Sequence, residues 1–211
     1  MIYADHAATT KISETAKLAM LSAMEKDWYN PSSLYTPGQQ ASGTLMDARV
    51  RIAHCLGCLP KEIYFTSGGS EADNQAILSA AAIGKRQGKM HIISTAFEHH
   101  AVLHTLKKLE KEGFEITLLD VGEKGIVSPV QVEKAIRPDT ILVTVMYANN
   151  EIGTIQPIRE IGAICRKNGV LFHTDAVQAA GHLQINVEKD QIDMLSLSAH
   201  KFNGPKGIGV L

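Results

Sequence analysis

The feature that most constrains the fold is a regular alternation between short apolar segments and longer segments of helical pattern. The apolar segments are rich in β-branched residues and occur at 63–66, 92–95, 116–120, 140–146, 170–173 and 192–197. The helical segments occur at 13–26, 36–55, 99–112, 129–136 and 157–167, and another follows the glycine turn at 67–70. This alternation predicts an α/β protein with a mainly parallel sheet flanked by helices. The segment TILVTVM at 140–146 predicts a central strand that is buried on both faces.

Two helix starts carry capping residues. Ser13 is the predicted N-cap of the first helix, because its hydroxyl can accept a hydrogen bond from a free backbone N–H. Thr36 is the predicted N-cap of the second helix, with Pro37 at the first helical position.

Composition narrows the class of protein. The 211 residues suit one large domain or one and a half small ones, and 45% hydrophobic with 20% charged residues is ordinary for a globular enzyme. A formal net charge of -1 gives no reason to expect a nucleic-acid or membrane partner, and no segment has the length of a bilayer-spanning apolar run. The start MIYADHAATT lacks the pattern of a secretory signal, so the expected compartment is the cytoplasm.

The three cysteines, Cys55, Cys58 and Cys165, do not predict a disulfide framework, since their number is odd. Cys55 and Cys58 form a CxxC, but a metal or redox site would need a second pair or a thioredoxin-like setting. We interpret them as core or surface residues and expect no metal site.

The last residues, GIGVL, form an apolar run of strand character. Natural termini are usually polar and dispensable. We therefore expect the chain to stop inside a sheet, which would leave an edge exposed or a neighbour missing.

Lys201 is the candidate for covalent attachment of a cofactor. It follows an apolar strand, is flanked by Ser198 and His200, and precedes a glycine-rich turn. Such a setting suits a lysine amine that condenses with the aldehyde of pyridoxal 5'-phosphate. Taken alone, a lysine in a Gly/Pro turn is more often a solvated loop residue.

Asp175 closes another strand, in FHTDAVQAAG. A buried carboxylate at a strand end could hold the proton of a pyridine nitrogen, which lets the ring accept electrons. Gln178, one turn further on, could hydrogen-bond the ring oxygen. The alternative for Asp175 is a helix N-cap, which is compatible with the first role.

The turn SGGSE at 67–71 joins a strand to a helix, where free N–H groups and the helix dipole favour an anion. Gly69 and Ser70 are the best phosphate donors there, and Ser198 and His200 could add side-chain donors. A glycine-containing turn of this type is common, so this signal alone is weak.

His99 and Asn150 are weaker candidates. His99 begins a helix in FEHHAVL and could stack on a flat cofactor, although a helix-start histidine often has no role. Asn150 follows the central strand with Asn149, where either amide could bind a ligand or simply form a turn.

Together these segments resemble cysteine desulfurases of the NifS/IscS type. The motifs DHAATT, NPSS, FTSGGSEADN, EHHAVL, ANNEIGTIQPI, FHTDAVQAAG and SAHKFNGPKGIG occur in that family's order and spacing, from residue 3 to the last residue. The joint match is specific, whereas no single motif would be.

The resemblance implies the large domain of a fold-type I pyridoxal-phosphate enzyme of the class V aminotransferase group, acting as a homodimer. It implies that residues 1–12 belong to a small domain and that 13–211 form the cofactor-binding large domain, truncated before the C-terminal small domain. The implied reaction converts L-cysteine to L-alanine and leaves the sulfur on an enzyme cysteine as a persulfide. Sulfur-acceptor or scaffold proteins would then use it for iron–sulfur cluster or thio-cofactor synthesis.

The resemblance also implies a role for each candidate residue. Lys201 is the implied Schiff-base lysine, and His99 would stack on the pyridine ring and help to move protons. The remaining implied contacts are Asp175 with the ring nitrogen, Asn150 and Gln178 with the ring hydroxyl side, and Gly69, Ser70, Ser198 and His200 with the phosphate.

The family's sulfur-carrying cysteine, its substrate-binding arginine and a partner-subunit threonine are expected beyond residue 211. Cys165 and the CxxC do not match the position of that cysteine. Two alternatives therefore stay open. The chain could be a cofactor-binding module that is inactive alone, or it could be a selenocysteine lyase or another class V aminotransferase-like enzyme.

Overall fold

The computed structural model describes residues 2–211, which form an α/β fold. Its helices are α1 (Glu14–Lys26), α2 (Thr36–Leu56), α3 (Gly69–Gln87), α4 (His100–Lys111), α5 (Pro129–Ala135) and α6 (Ile158–Lys167). Its strands are β1 (Phe65–Thr66), β2 (His91–Thr95), β3 (Glu115–Leu119), β4 (Thr140–Thr144), β5 (Leu171–Asp175), β6 (Met194–Ser198) and β7 (Gly209–Val210). Single turns of 3-10 helix occur at Pro60–Glu62 and Ala199–Lys201.

Within the described residues the strands form one sheet in the order β1-β7-β6-β5-β4-β2-β3. Strands β2 to β6 pair in parallel, and β7 pairs antiparallel with both β1 and β6. The prediction of a mainly parallel α/β sheet is confirmed. The predicted central strand is also confirmed, since β4 lies between β2 and β5 and all of its residues are buried.

Neighbouring residues of the inner strands belong to different halves of the core. Ile92 and Leu142 pack in a cluster with residues of α3 and α4. Ile93 and Val143 pack in a second cluster with residues of α5 and α6. Because successive strand side chains point to opposite faces, the sheet is covered on both sides. This accounts for the continuous apolar runs in the sequence.

Several predicted boundaries differ from the structure by one or two residues, and two of the differences have a clear local cause. The first strand forms only at Phe65–Thr66, because Ile63 closes the preceding 3-10 turn by donating to the Pro60 carbonyl. Thr36 is the first helical residue of α2 and not its cap; the cap is Tyr35, which makes no side-chain capping bond. Ser13 is the N-cap of α1, as predicted, and its hydroxyl accepts from the Ala16 N–H.

Helix α1 contrasts with the rest of the fold, because none of its residues is buried. Leu18, Leu21 and Met24 are exposed on it, and Trp28 follows it, also exposed. Among the helices of residues 2–211, none combines the length and the apolar character that crossing a bilayer would require.

Candidate functional site

A cavity of about 430 Å³ opens at the carboxyl ends of the parallel strands, beside the first turn of α3. All the candidate residues predicted from the sequence line it, although they are spread over more than half of the chain. These are Gly69, Ser70, His99, Asn150, Asp175, Gln178, Ser198, His200 and Lys201. Its other lining residues are Asp5, Ala7, Ala8, Asp73, Met146 and Val177. The carboxyl edge of a parallel sheet is where α/β folds bind ligands.

Asp175 is the last residue of β5 and is only 5% exposed. Its carboxylate accepts a hydrogen bond of 2.9 Å from the Val177 N–H. Burial raises the pKa of Asp175, while that N–H and the positive charges of His99 and Lys201 oppose the rise. The carboxylate is thus stabilised by the same groups that share its cavity.

Asp73, on the first turns of α3, is a lining residue that the sequence reasoning missed. It is 1% exposed, and its Oδ1 lies 3.6 Å from Nε2 of the equally buried His173. Burial and the nearby Asp175 charge raise the pKa of Asp73, whereas burial lowers the pKa of His173 to about 3. His173 is therefore neutral near neutral pH, and the surroundings of Asp73 favour its protonated form. The motif SEADN contained the residue, but a helical aspartate gives no sign of burial in the sequence.

Glu98 is a second missed carboxyl group, buried immediately before His99. It accepts hydrogen bonds from the Thr95 hydroxyl and, at 3.0 Å, from the Met146 N–H. Burial raises the pKa of Glu98 to about 8. A neutral Glu98 thus ties the loop before α4 to the end of β4.

Lys201 ends the 3-10 turn that follows β6. Its amine donates to the carbonyls of Ala7 and, at 3.1 Å, Ala8. Desolvation lowers the pKa of Lys201, and the negative charges of Asp175 and Asp5 oppose this. The amide of Gln178 donates to the same Ala7 carbonyl at 2.9 Å.

The N-terminal segment, defined here as residues 5–13, covers this lysine. Thr10 donates from its N–H and its hydroxyl to the His200 carbonyl, both at 2.8 Å, and accepts from the Asn203 N–H at 2.7 Å. His200 Nδ1 lies 3.0 Å from the Thr9 hydroxyl. The DHAATT motif was used only for the family resemblance, and its position over Lys201 was not anticipated.

The first turn of α3 presents the N–H groups that sequence analysis favoured for an anion. Gly69 and Ser70 are its first two residues, and such N–H groups have no partner within a helix. A Cβ on Gly69 would lie 2.5 Å from Cγ2 of Val177, so the close approach of this turn to Val177 requires glycine. Ser198 is buried on the neighbouring β6.

The two asparagines after β4 have different positions. The Asn149 side chain stabilises the turn, since its Oδ1 accepts from the N–H groups of Glu151 and Ile152. Asn150 lines the cavity. Of the two possibilities considered for this pair, the turn is the role of Asn149, and ligand contact stays a prediction for Asn150.

His99 is exposed at the cavity and is the N-cap of α4. Its Nδ1 accepts from the Ala101 N–H at 3.1 Å, which leaves Nε2 for another partner. Donor atoms of His99, Asp73 and Asp175 lie within 4.8 Å of one another. This set has the geometry of a metal site, and two of its members, His99 and Asp175, are residues that the sequence analysis assigned to the cofactor.

The cysteines lie elsewhere. Cys55 is exposed, Cys58 is half-buried, Cys165 is buried, and among the described residues none is paired or lines the cavity. Burial raises the pKa of the Cys165 thiol to about 12, so it is not a nucleophile at neutral pH.

Comparison with known proteins points to one family. The aminotransferase class-V model matches residues 2–211. The chain is 52% identical to the cysteine desulfurase IscS of Methanosarcina thermophila, over 100% of this chain and 52% of that protein. It is also 52% identical to the putative cysteine desulfurase IscS 1 of Bacillus subtilis (strain 168), over 100% of this chain and 55% of that protein. The chain thus spans about half the length of the curated relatives it matches.

Solved structures of similar proteins have the same fold over nearly all of this chain. SspA in complex with cysteine superposes with a TM-score of 0.95 at 42% identity, over 100% of this chain and 60% of that one. A NifS-like protein superposes with a TM-score of 0.95 at 38% identity, over 99% of this chain and 57% of that one.

Proposed function

Because the chain belongs to the aminotransferase class-V family, we propose that it forms the pyridoxal-phosphate site of a cysteine desulfurase. The observation that carries this proposal is the joint presence of the Lys201 amine and the buried Asp175 carboxylate in one cavity. Each shifts the pKa of the other, since Asp175 favours the charged lysine and Lys201 favours the charged carboxylate. An amine and a buried carboxylate are the two groups that a pyridoxal cofactor requires of its protein.

The remaining lining residues fit the same cofactor. The Lys201 amine would hold it covalently, and the Asp175 carboxylate would hold the proton of its ring nitrogen. Exposed at the cavity, the His99 ring would lie against the cofactor ring. Gly69, Ser70, Ser198 and His200 offer donors for the phosphate, and Asn150 and Gln178 offer amides for the ring hydroxyl side.

When bound, pyridoxal phosphate supplies an electron-accepting ring that takes up the charge left when the substrate α-carbon loses its proton. The protein's own residues then govern where protons go. Desolvation lowers the pKa of Lys201, which favours the neutral amine, the form that would act as a base toward that α-carbon. A charged Asp175 would keep the ring nitrogen protonated, and its burial would strengthen this interaction.

The substrate is proposed to be L-cysteine, in keeping with the solved relative described as a complex with cysteine. A thiolate would attack the substrate sulfur, so that the C–S bond breaks, alanine leaves and the thiol becomes a persulfide. Cys165 is buried with a raised pKa, and Cys55 and Cys58 lie outside the cavity. The proposed sulfur acceptor is therefore a thiol other than these three.

We propose further that the complete protein acts as a cytoplasmic homodimer that passes sulfur to acceptor or scaffold proteins for iron–sulfur or thio-cofactor synthesis. The exposed Leu18, Leu21 and Met24 of α1 offer an apolar surface for a partner subunit. The free cysteines are compatible with a reducing compartment. A cofactor-binding module without desulfurase activity is the second candidate, supported by the absence of a cysteine among the residues that line the described cavity.

The proposal is tested by adding pyridoxal phosphate to the purified chain and following its absorbance, then adding L-cysteine with a reductant and measuring sulfide. We expect a lysine-bound absorbance band in the wild type and none in Lys201→Ala. Lys206→Ala is the matched control, because Lys206 is an exposed lysine of the same loop. A band retained in Lys201→Ala would refute the attachment site. Cofactor binding without sulfide release would favour the module.

A further inference from the structure

Three carboxyl groups are buried together beneath the cavity, on three different elements. Asp73 belongs to α3 and is 1% exposed, Asp175 ends β5 and is 5% exposed, and Glu98 precedes α4 and is also 5% exposed. Donor oxygens of Asp73 and Asp175 lie within 4.8 Å of each other. The proposed function uses only Asp175, so the other two carboxyl groups need an account.

The cavity offers too few positive charges to stabilise the ionised forms of all three carboxyl groups. Among the described residues that line the cavity, Lys201 is the one lysine or arginine, and its charge acts on Asp175. The neighbour of Asp73 is His173, whose ring nitrogens already lie 2.8 Å from the Thr144 hydroxyl and 2.9 Å from the Ser196 hydroxyl. Two hydroxyl partners satisfy a neutral imidazole, since a hydroxyl can donate as well as accept.

The Asp73 carboxyl group itself is poorly solvated. Among the described residues its Oδ1 has no hydrogen-bond partner, and Ser196 is the hydroxyl that favours its charged form. A buried carboxylate with an unpaired oxygen is costly, and the group neutralises instead. Asp73 also lines the cavity, as Asp175 does.

We propose that Asp73 is a positioning residue of the cofactor site, acting as a neutral carboxylic acid that confines the single negative charge of the cavity to Asp175. The role of Asp73 toward the cofactor rests on the proposed function, whereas its protonation state does not. An ionised Asp73 would place a second negative charge beside Asp175. Like charges at this distance drive one group to take up a proton. A proton taken up by Asp175 would remove the charge that the ring nitrogen needs.

The groups that face Asp73 fix the direction of its pH dependence. They are Asp175 and His173 from β5, Ser196 from β6 and Glu98 from the loop before α4. Burial and the negative charge of Asp175 both raise the pKa of Asp73 well above its usual value. Both favour the protonated form of Asp73, so a rise in pH is the change that would ionise it.

Infrared spectroscopy of the cofactor-free chain at about pH 6, which is above the usual pKa of aspartic and glutamic acids, tests the charge state directly. A protonated carboxylic acid has its own C=O stretching band. We expect two such buried groups in the wild type. Asp73→Asn should remove one band and Glu98→Gln the other, while Asp175→Asn removes neither. If Asp73→Asn fails to fold, Glu98→Gln still tests the proposal, because the band of Asp73 must remain in that variant. Loss of every buried acid band in Glu98→Gln, or no loss in Asp73→Asn, overturns the proposal.

A second measurement asks whether neutrality or charge matters for the cofactor. Asp73→Ala should weaken pyridoxal-phosphate binding about tenfold, because it leaves buried polar neighbours unpaired. Asp73→Asn, which is neutral and of the same shape, should restore most of that loss. Failure of asparagine to rescue would show that a charge is required and would contradict the proposal. Failure of the wild type to bind the cofactor would instead refute the proposed function, and the infrared result would still stand.

Discussion

The two sides of the cavity are built by different means. On the buried side, Asp73, Asp175 and Ser198 project from α3, β5 and β6 and are fixed in the packed sheet. On the opposite side, the N-terminal segment is mostly exposed and contacts the loop around Lys201 mainly through backbone N–H and carbonyl groups. Lys201 is the residue that joins them, since its amine contacts Ala7 and Ala8 while its charge acts on Asp175.

The two sides therefore differ in role: the buried side chains are proposed to carry the chemistry, and the N-terminal segment encloses the cavity. On the buried side the identity of each side chain matters, because low local dielectric strengthens every polar interaction and penalises every unpaired group. On the N-terminal side most contacts use only backbone groups, which do not depend on the side chain, and the Thr9 and Thr10 hydroxyls are the exceptions. We therefore expect substitutions on the buried side to change cofactor affinity, and substitutions in the N-terminal segment to change chiefly stability and access.

The strongest test of this comparison is Asp175→Asn. It keeps the shape of the side chain but removes the charge, so we expect pyridoxal-phosphate affinity to fall at least about tenfold, the value of a hydrogen bond to a charged group. The absorbance spectrum of any bound cofactor should also change, because the ring nitrogen loses its proton. Asp47→Asn is the control, since Asp47 is an exposed aspartate on α2. Equal cofactor affinity and spectra in wild type and Asp175→Asn would remove the basis for assigning chemistry to the buried side.

Glu98→Gln tests whether the buried side is tuned for neutral carboxyl groups. The pKa of Glu98 is raised from 4.5 to about 8 in the fold, so the folded state holds a proton that the unfolded state releases. Its stabilising contribution is complete below pH 4.5 and is lost as the pH rises through the folded value.

Glutamine cannot titrate, so the free energy of unfolding of the wild type should fall relative to Glu98→Gln across that interval. The slope should approach about 1.4 kcal/mol per pH unit. Urea unfolding at several pH values measures it, with the exposed Glu112→Gln as the control. Parallel pH profiles for wild type and Glu98→Gln would mean that folding does not shift the pKa of Glu98.

The sequence predicted the fold and the cavity residues that lie at strand ends. It did not predict the buried carboxyl groups of α3 and of the loop before α4, or the N-terminal segment. Alternating strands and helices gave the parallel sheet, since apolar periodicity reports burial directly. Asp175 and Lys201 were found because they follow strands, where ligands bind. Asp73 and Glu98 were missed because nothing local distinguishes a buried carboxyl group in a helix or loop from an exposed one. The contact of the N-terminal segment with Lys201 was not predicted, because it joins opposite ends of the chain.

The smallest expected effect concerns the N-terminal segment itself. Thr10→Val keeps the β-branched shape but removes the hydroxyl that donates to the His200 carbonyl and accepts from the Asn203 N–H. Loss of these two bonds should lower the free energy of unfolding by about 1–2 kcal/mol and expose the segment to protease. Thr9→Val, which loses only the contact with His200 Nδ1, should have about half that effect.

Thr44→Val on the exposed surface of α2 is the control for both threonine variants. Urea unfolding and limited proteolysis measure stability and exposure, and cofactor titration measures affinity on the same samples. Affinity should stay close to that of the wild type in Thr10→Val, because the Ala7 and Ala8 carbonyls and the buried carboxylates are untouched. A loss of affinity as large as that of Asp175→Asn would show that the segment fixes the position of Lys201, and the separation between chemistry and enclosure would fail.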